Sequence, residues 1–183
     1  MSEQSRMIRG ELYDAADPAL AARRLDVQKV LRRYNELDDD DQLSRDEILS
    51  GLFSEIGEGC LIQSGFRCEY GFNITLGTRV FMNYDCVVLD VCPVRIGDRC
   101  QFGPACHLYT PTHPLDPEIR ARGPEAGRPI IIGDDVWLGG RVTVNPGVTI
   151  GSGTTVGAGS VVTRDLPPRV FAAGNPARVI REL

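Results

Sequence analysis

The sequence predicts a mainly β chain: a parallel β-helix wound from six-residue repeats, preceded by an N-terminal helical segment. Three observations carry this reading. An aliphatic residue recurs at every sixth position through the second half of the chain. The composition combines 20 glycines and 12 prolines with many Val and Ile, which suits short extended segments separated by turns. The stretch before the repeats has helical spacing instead. Self-similarity at a fixed period is the mark of a solenoid, in which each coil stacks on the last.

A chain of 183 residues implies one domain with a small appendage. The helical segment is assigned to residues 1–58 and the β-helix to residues 59–183. From about residue 5 to 56 the pattern is helical, with Leu20, Leu25, Val27, Val30, Leu31 and Tyr34 close to helical spacing among charged residues. Asp17 before Pro18 supplies a helix start, since Asp caps free N–H groups and Pro fits the first turn. The polar DDDDQ stretch at 38–42 reads as a solvated connection. Its carboxylates are consecutive and lack calcium-loop spacing, so it is not assigned a metal. Ser44 and Glu47, in capping-box spacing, open a second helix.

The repeat is clearest toward the C-terminus, where Ile132, Leu138, Val144, Ile150, Val156 and Val162 follow at steps of six. Upstream, Leu76, Met82 and Val88 keep the step. A two-residue slip follows, and Ile96, Phe102 and Leu108 resume it. These residues are expected to point inward as columns. Residues 109–131 carry charge, Pro and Gly, and read as a loop thrown out of the repeat.

Composition excludes several functions. The net charge of −5 and the lack of a dense Lys/Arg run argue against a nucleic-acid partner. No apolar stretch approaches the roughly 20 residues that span a bilayer. The N-terminus lacks the plan of a secretion signal, so the cytoplasm is the expected location. Cys60, Cys68, Cys86, Cys92, Cys100 and Cys106 form no C-x-x-C pair and fall mostly in apolar runs, which predicts buried, reduced thiols.

Only His107 and His113 offer an imidazole. His107 lies inside the hexapeptide FGPACH, and His113 in YTPTHPLDP, within the loop that breaks the repeat. A histidine on a protruding loop can reach a neighbouring surface, and its near-neutral pKa suits taking a proton from a hydroxyl.

The stretches TPTHPLDP, IGDDVWLGGRVTVNPGVTIGSGTTVGAGSVVTRDLPP and GNPARVIREL resemble the sugar O-acetyltransferases of the hexapeptide-repeat family. The start, MIRGELYDAADPAL, is similar to the N-terminal segment of the maltose type. The resemblance covers about residues 7–183 and implies a left-handed prism, an exception to the usual right-handed crossover. It also implies acetyl transfer from acetyl-coenzyme A to a hydroxyl of a small sugar of maltose or glucose type. By resemblance, His113 is the general base and Asn83 positions the acceptor or stabilises the transition state beside the histidine of a neighbouring subunit. The Gly140 amide donates to the oxyanion in the same reading, with Gly139 beside it. Gly140, Ala158, Thr163, Arg164, Arg178, Arg181 and Trp137 match positions lining the coenzyme A groove, arginine being suited to phosphate by its planar fork. Asp14, Glu69, Asn83, Asp90 and Glu125 are the candidates for holding the sugar. Where galactoside acetyltransferases have serine, this chain carries Glu69, which favours the maltose type. The family's trimers share each active site between adjacent prisms, so a homotrimer is expected.

Three alternatives stand beside this reading. The first is the same fold serving a different acceptor, such as a galactoside, an antibiotic, a lipid-linked oligosaccharide, serine or another alcohol. The second is a zinc hydratase, which needs three imidazoles on one metal where each chain has two histidines, so no metal is expected. The third is a noncatalytic repeat scaffold, which gives no reason for T-H-P or the paired glycines.

Overall fold

A computed structural model describes residues 2–38 and 40–183. The chain winds into a triangular, left-handed β-helix whose three faces are parallel sheets. The first face carries the strands Glu55–Ile56, Ile74–Leu76, Val94–Ile96, Ile130–Ile132 and Thr149–Ile150. The second begins at Leu61–Ile62 and Phe81–Met82, continues through Gln101–Phe102, Trp137–Leu138 and Thr155–Val156, and ends in an antiparallel hairpin of Val170–Gly174 and Ala177–Glu182. The third holds Arg67–Cys68, Val87–Leu89, His107–Tyr109, Thr143–Val144 and Val161–Val162.

Parallel pairing puts each inward residue on its counterpart one coil away. Leu76 pairs with Ile96 and Ile96 with Ile132 on the first face, Met82 with Phe102 and Phe102 with Leu138 on the second, and Val88 with Leu108 and Leu108 with Val144 on the third. All of these side chains are buried, as the six-residue period predicts. The two-residue slip lies at the corner between the third and first faces, where the extra chain is absorbed by burying Asp90, Val91 and Cys92. At the other corners one residue per turn has positive φ. That residue is often glycine, but Arg79, Asp85, Arg99, Ala105, Asp135, Arg141 and Arg169 also take it, at about 1 kcal/mol or more each.

Two helices close the open end of this core. α2 (Pro18–Glu36) and α3 (Gln42–Leu52) lay Val27, Leu31, Tyr34, Leu49 and Leu52 over it. Buried Arg45 crosses above the Tyr34 ring at 4.4 Å and donates to the Ile62 carbonyl at 2.8 Å, so the lid is also joined to the first coil by polar contacts. Asp17 caps α2 through the Ala19 and Leu20 N–H groups, as expected.

Two details of the sequence reading are corrected. The helical segment is not continuous: α1 (Glu3–Ile8) ends before Gly10 at positive φ, and Tyr13–Asp14 is a short strand. Asp41, not Ser44, caps α3, because the helix starts earlier and the Asp41 carboxylate accepts the Ser44 N–H at 3.2 Å. Asp39 in the same acidic run lies outside the described residues. Of the apolar residues at helical spacing, Leu25 and Val30 are exposed on the solvent side of α2.

The loop that leaves the repeat is built as a small antiparallel sheet. Pro111–Thr112 pairs with Pro124–Gly127, which pairs with Tyr13–Asp14, and the short α4 (Pro117–Arg120) lies between the two loop strands. Its neck is closed where Arg128 N–H donates to Thr110 O at 2.9 Å. The six cysteines are free and buried, and five thiols point at backbone carbonyls, including Cys60 at Gly77 and Cys106 at Gly139. No helix among the described residues is long and apolar enough to cross a membrane.

Candidate active site

The loop sheet forms one cluster. Thr112 pairs with Ala126, which sets His113 opposite Glu125, and Glu125 is in turn the partner of Tyr13. His113 Nε2 lies 3.8 Å from Glu125 Oε2, and the Tyr13 hydroxyl donates to Glu125 Oε1. Tyr13 is buried, whereas the His113 side chain is 52% exposed and open to a partner or ligand. Burial, followed by the Glu125 carboxylate, pushes the Tyr13 hydroxyl well above the usual range.

Below this row the corner between the third and first faces carries the acidic candidates. Glu69 is pushed up first by burial and then by Glu125, while Arg24, 3.9 Å away, pulls it down. Arg24 reaches it from α2, donating also to the Tyr70 hydroxyl at 2.6 Å and to Ala15 O at 2.8 Å. Asp90 lies beneath, fully buried. Its carboxylate accepts the N–H groups of Glu69 at 2.9 Å, Tyr70 at 2.8 Å and Asn73 at 3.4 Å, and so fixes the turn that presents Glu69. Burial pushes Asp90 up to about 7 against the pull of those N–H groups. Asp14 is exposed in the strand beside Tyr13, where its carboxylate caps the Ala16 N–H at 2.8 Å. The structure thus gathers His113, Glu125, Asp14, Glu69 and Asp90 at one corner.

Asn83, Gly140 and Ala158 gather at a different one, between the second and third faces. Asn83, Gly103, Gly139 and Gly157 stack there, each N–H donating to the coil above. The stack is close enough that a Cβ at Gly103 would collide with the Gly140 backbone, which is why glycine occupies this bend. The Gly140 N–H itself donates to no protein acceptor among the described residues. Asn83 Oδ1 accepts the Tyr84 N–H at 2.8 Å, and its amide NH2 donates to no acceptor among the described residues.

The remaining candidates are spread wider. Trp137 stands 54% exposed on the outer side of the second face, between Gln101 and Thr155. Arg178 and Arg181 lie on the terminal hairpin, Arg181 over the Phe171 ring at 6.0 Å, and neither has a carboxylate partner among the described residues. Thr163 and Arg164 are exposed after Val161–Val162, at the loop corner. No hydrogen bond or ion pair joins His113 to Asn83 or Gly140 among the described residues; the third face lies between their corners. His107 points outward on that face, its Nδ1 2.5 Å from the Tyr109 hydroxyl. No group of three or more metal-binding side chains occurs among the described residues.

Residues 6–57 match the maltose acetyltransferase hexapeptide capping motif, and residues 129–164 match the bacterial transferase hexapeptide, six repeats. Nodulation protein L of Rhizobium meliloti is 47% identical over 178 residues, covering 97% of each chain. The crystal structure of a maltose O-acetyltransferase from Clostridium difficile 630 superposes with a TM-score of 0.98 at 43% identity, over 100% of this chain and 98% of that one. The chain belongs to the hexapeptide-repeat sugar O-acetyltransferase family. A hexapeptide-repeat acetyltransferase from Vibrio cholerae, complexed with acetyl-coenzyme A, superposes with a TM-score of 0.92 at 38% identity, over 100% of this chain and 99% of that one.

Membership in the family gives the two corners distinct meanings. The loop corner holds imidazole and carboxylates, groups that bind hydroxyls and move protons; the glycine corner and terminal hairpin hold, among the described residues, an N–H with no acceptor and cations with no carboxylate partner. Tyr13, Arg24 and Tyr70, which organise the acidic corner, were missed in the sequence. Tyr13 and Asp14 form too short a strand to leave a period, and Arg24 reads as one more solvated charge of α2.

Proposed function

We propose that the protein transfers an acetyl group from acetyl-coenzyme A to a hydroxyl of a small sugar of maltose or glucose type, in the cytoplasm. The observation that carries this is the row His113, Glu125 and Tyr13 beside Glu69, in a chain of this family. His113 is the general base, exposed where an acceptor hydroxyl can reach it, and removes that proton as the oxygen attacks. Acetyl-coenzyme A supplies the acetyl thioester. Gly140 turns its free N–H toward the negative charge that develops on the carbonyl oxygen, and Asn83 offers an amide donor beside it. Asp14, Glu69 and Glu125 bind the sugar hydroxyls, and Asp90 supports them from below.

Trp137, Ala158, Thr163 and Arg164 line the cosubstrate groove in this reading, with Arg178 and Arg181 on its phosphates. That Arg178 and Arg181 have no carboxylate partner among the described residues suits that role. The corners that carry His113 and Asn83 are kept apart by the third face, which supports a homotrimer in which the loop of one copy meets the glycine corner of the next.

The test is to mix the purified protein with acetyl-coenzyme A and a panel of glucose, maltose, galactosides and non-sugar alcohols, following release of free thiol. Sugar-dependent release is expected. Silence across the sugars, with coenzyme A binding retained, would shift the reading to another acceptor on the same fold.

A further inference from the structure

A cleft of about 680 Å³ lies between α2 and the third face and has Glu69 in its lining. Arg24 and Glu69, 3.9 Å apart, line it together, with Arg67, Val87 and Leu89 from the third face and Gln28 and Arg32 from the helical wall. The wall extends from Arg24 to Glu36, roughly 18 Å at 1.5 Å per residue. A space of this size takes a ligand of several rings.

We infer that the cleft is a second acceptor subsite, which holds the following sugars of a short oligosaccharide whose terminal sugar is acetylated at His113. This rests on the acetyl-transfer reading above. Gln28 and Arg32 lie four residues apart on that wall, about 6 Å at 1.5 Å per residue, and follow Arg24, which is held by Tyr70 and Ala15. The side chains of Gln28, Arg32 and Arg67 have no hydrogen-bond or ion-pair partner among the described residues, so their donors are available. Val87 and Leu89 offer apolar surface to the ring faces. The carboxylates of Glu36 and Glu69 flank the cations, which suits a neutral polyhydroxyl chain better than a compact anion.

The experiment compares kcat/KM, by thiol release, for glucose and for the di-, tri- and tetrasaccharides of the α-1,4 and β-1,4 series. It uses the wild type and a Gln28→Ala/Arg32→Ala variant, whose changed side chains are exposed on α2. The wild type is expected to gain about tenfold with length in one series, and the variant to lose most of that gain. Turnover of glucose with a flat length profile in both series overturns the cleft assignment alone, as does a gain that the variant keeps. Absence of sugar-dependent release overturns the acetyl-transfer reading together with it.

Discussion

His113 is exposed and Glu125 is held by buried Tyr13, so the imidazole sits against a fixed carboxylate while its other edge faces outward. With proton transfer assigned to this ring, His113→Ala is expected to lower kcat about 10²–10⁴-fold and leave the acetyl-coenzyme A Kd within about twofold. Turnover and calorimetric titration check the two halves; unchanged turnover would reject the assignment. Asp90 makes a prediction of a different kind. Its folded pKa, about 7, lies above the ordinary carboxyl value. The folded state therefore binds the proton more tightly than the unfolded chain, and Asp90's contribution is complete below about pH 4 and lost as pH rises through 7. Stability from urea unfolding should fall between pH 5 and 7 by up to about 1.4 kcal/mol per unit from this group, and Asp90→Asn should flatten that slope. Equal slopes in the two proteins would refute it. His113 was singled out in the sequence by its place in the loop that interrupts the repeat and by the T-H-P resemblance, and its proton-transfer role rests on the mutant test above. The Asp90 support was not legible, since its partners are backbone N–H groups whose positions depend on the stacking of coils.

At the scale of elements, the prism stands on columns and the helices on one buried stripe. Leu138, fully buried between Phe102 and Val156, has no room to relax, and Leu138→Ala should cost about 2–5 kcal/mol by thermal or urea unfolding. Leu25→Ala on the exposed side of α2 should change stability by no more than about 0.5 kcal/mol. Comparable losses at the two sites would contradict the assignment of inward columns. The columns were readable because every coil repeats the same constraint, so the period accumulates over many residues. α2 was readable from Asp17–Pro18, but its buried side was not resolved from the pattern alone: Leu25 and Val30 are as apolar as Val27 and Leu31, and only the position of the core separates them. Tyr13–Asp14 carries no periodic signal, and the strand exists because the loop hairpin offers it an edge.

At the scale of the whole molecule, the acetyl-transfer reading assigns the cations of the terminal hairpin and the histidine of the loop to different steps. Arg178→Ala and Arg181→Ala should each raise the KM for acetyl-coenzyme A about 10- to 100-fold, the effect of losing a charge-assisted hydrogen bond, with kcat little changed. A fall in kcat at constant KM would move these arginines out of the cosubstrate groove.

The central claim is that catalysis needs the loop corner of one copy and the glycine corner of another. Co-expression of His113→Ala and Asn83→Ala chains, each inactive alone, tests it most directly. Sites shared between copies predict recovered thiol release, up to about a quarter of wild-type sites for random mixing in a trimer. If the mixed protein assembles and stays as inactive as its parents, His113 and Asn83 do not act across copies.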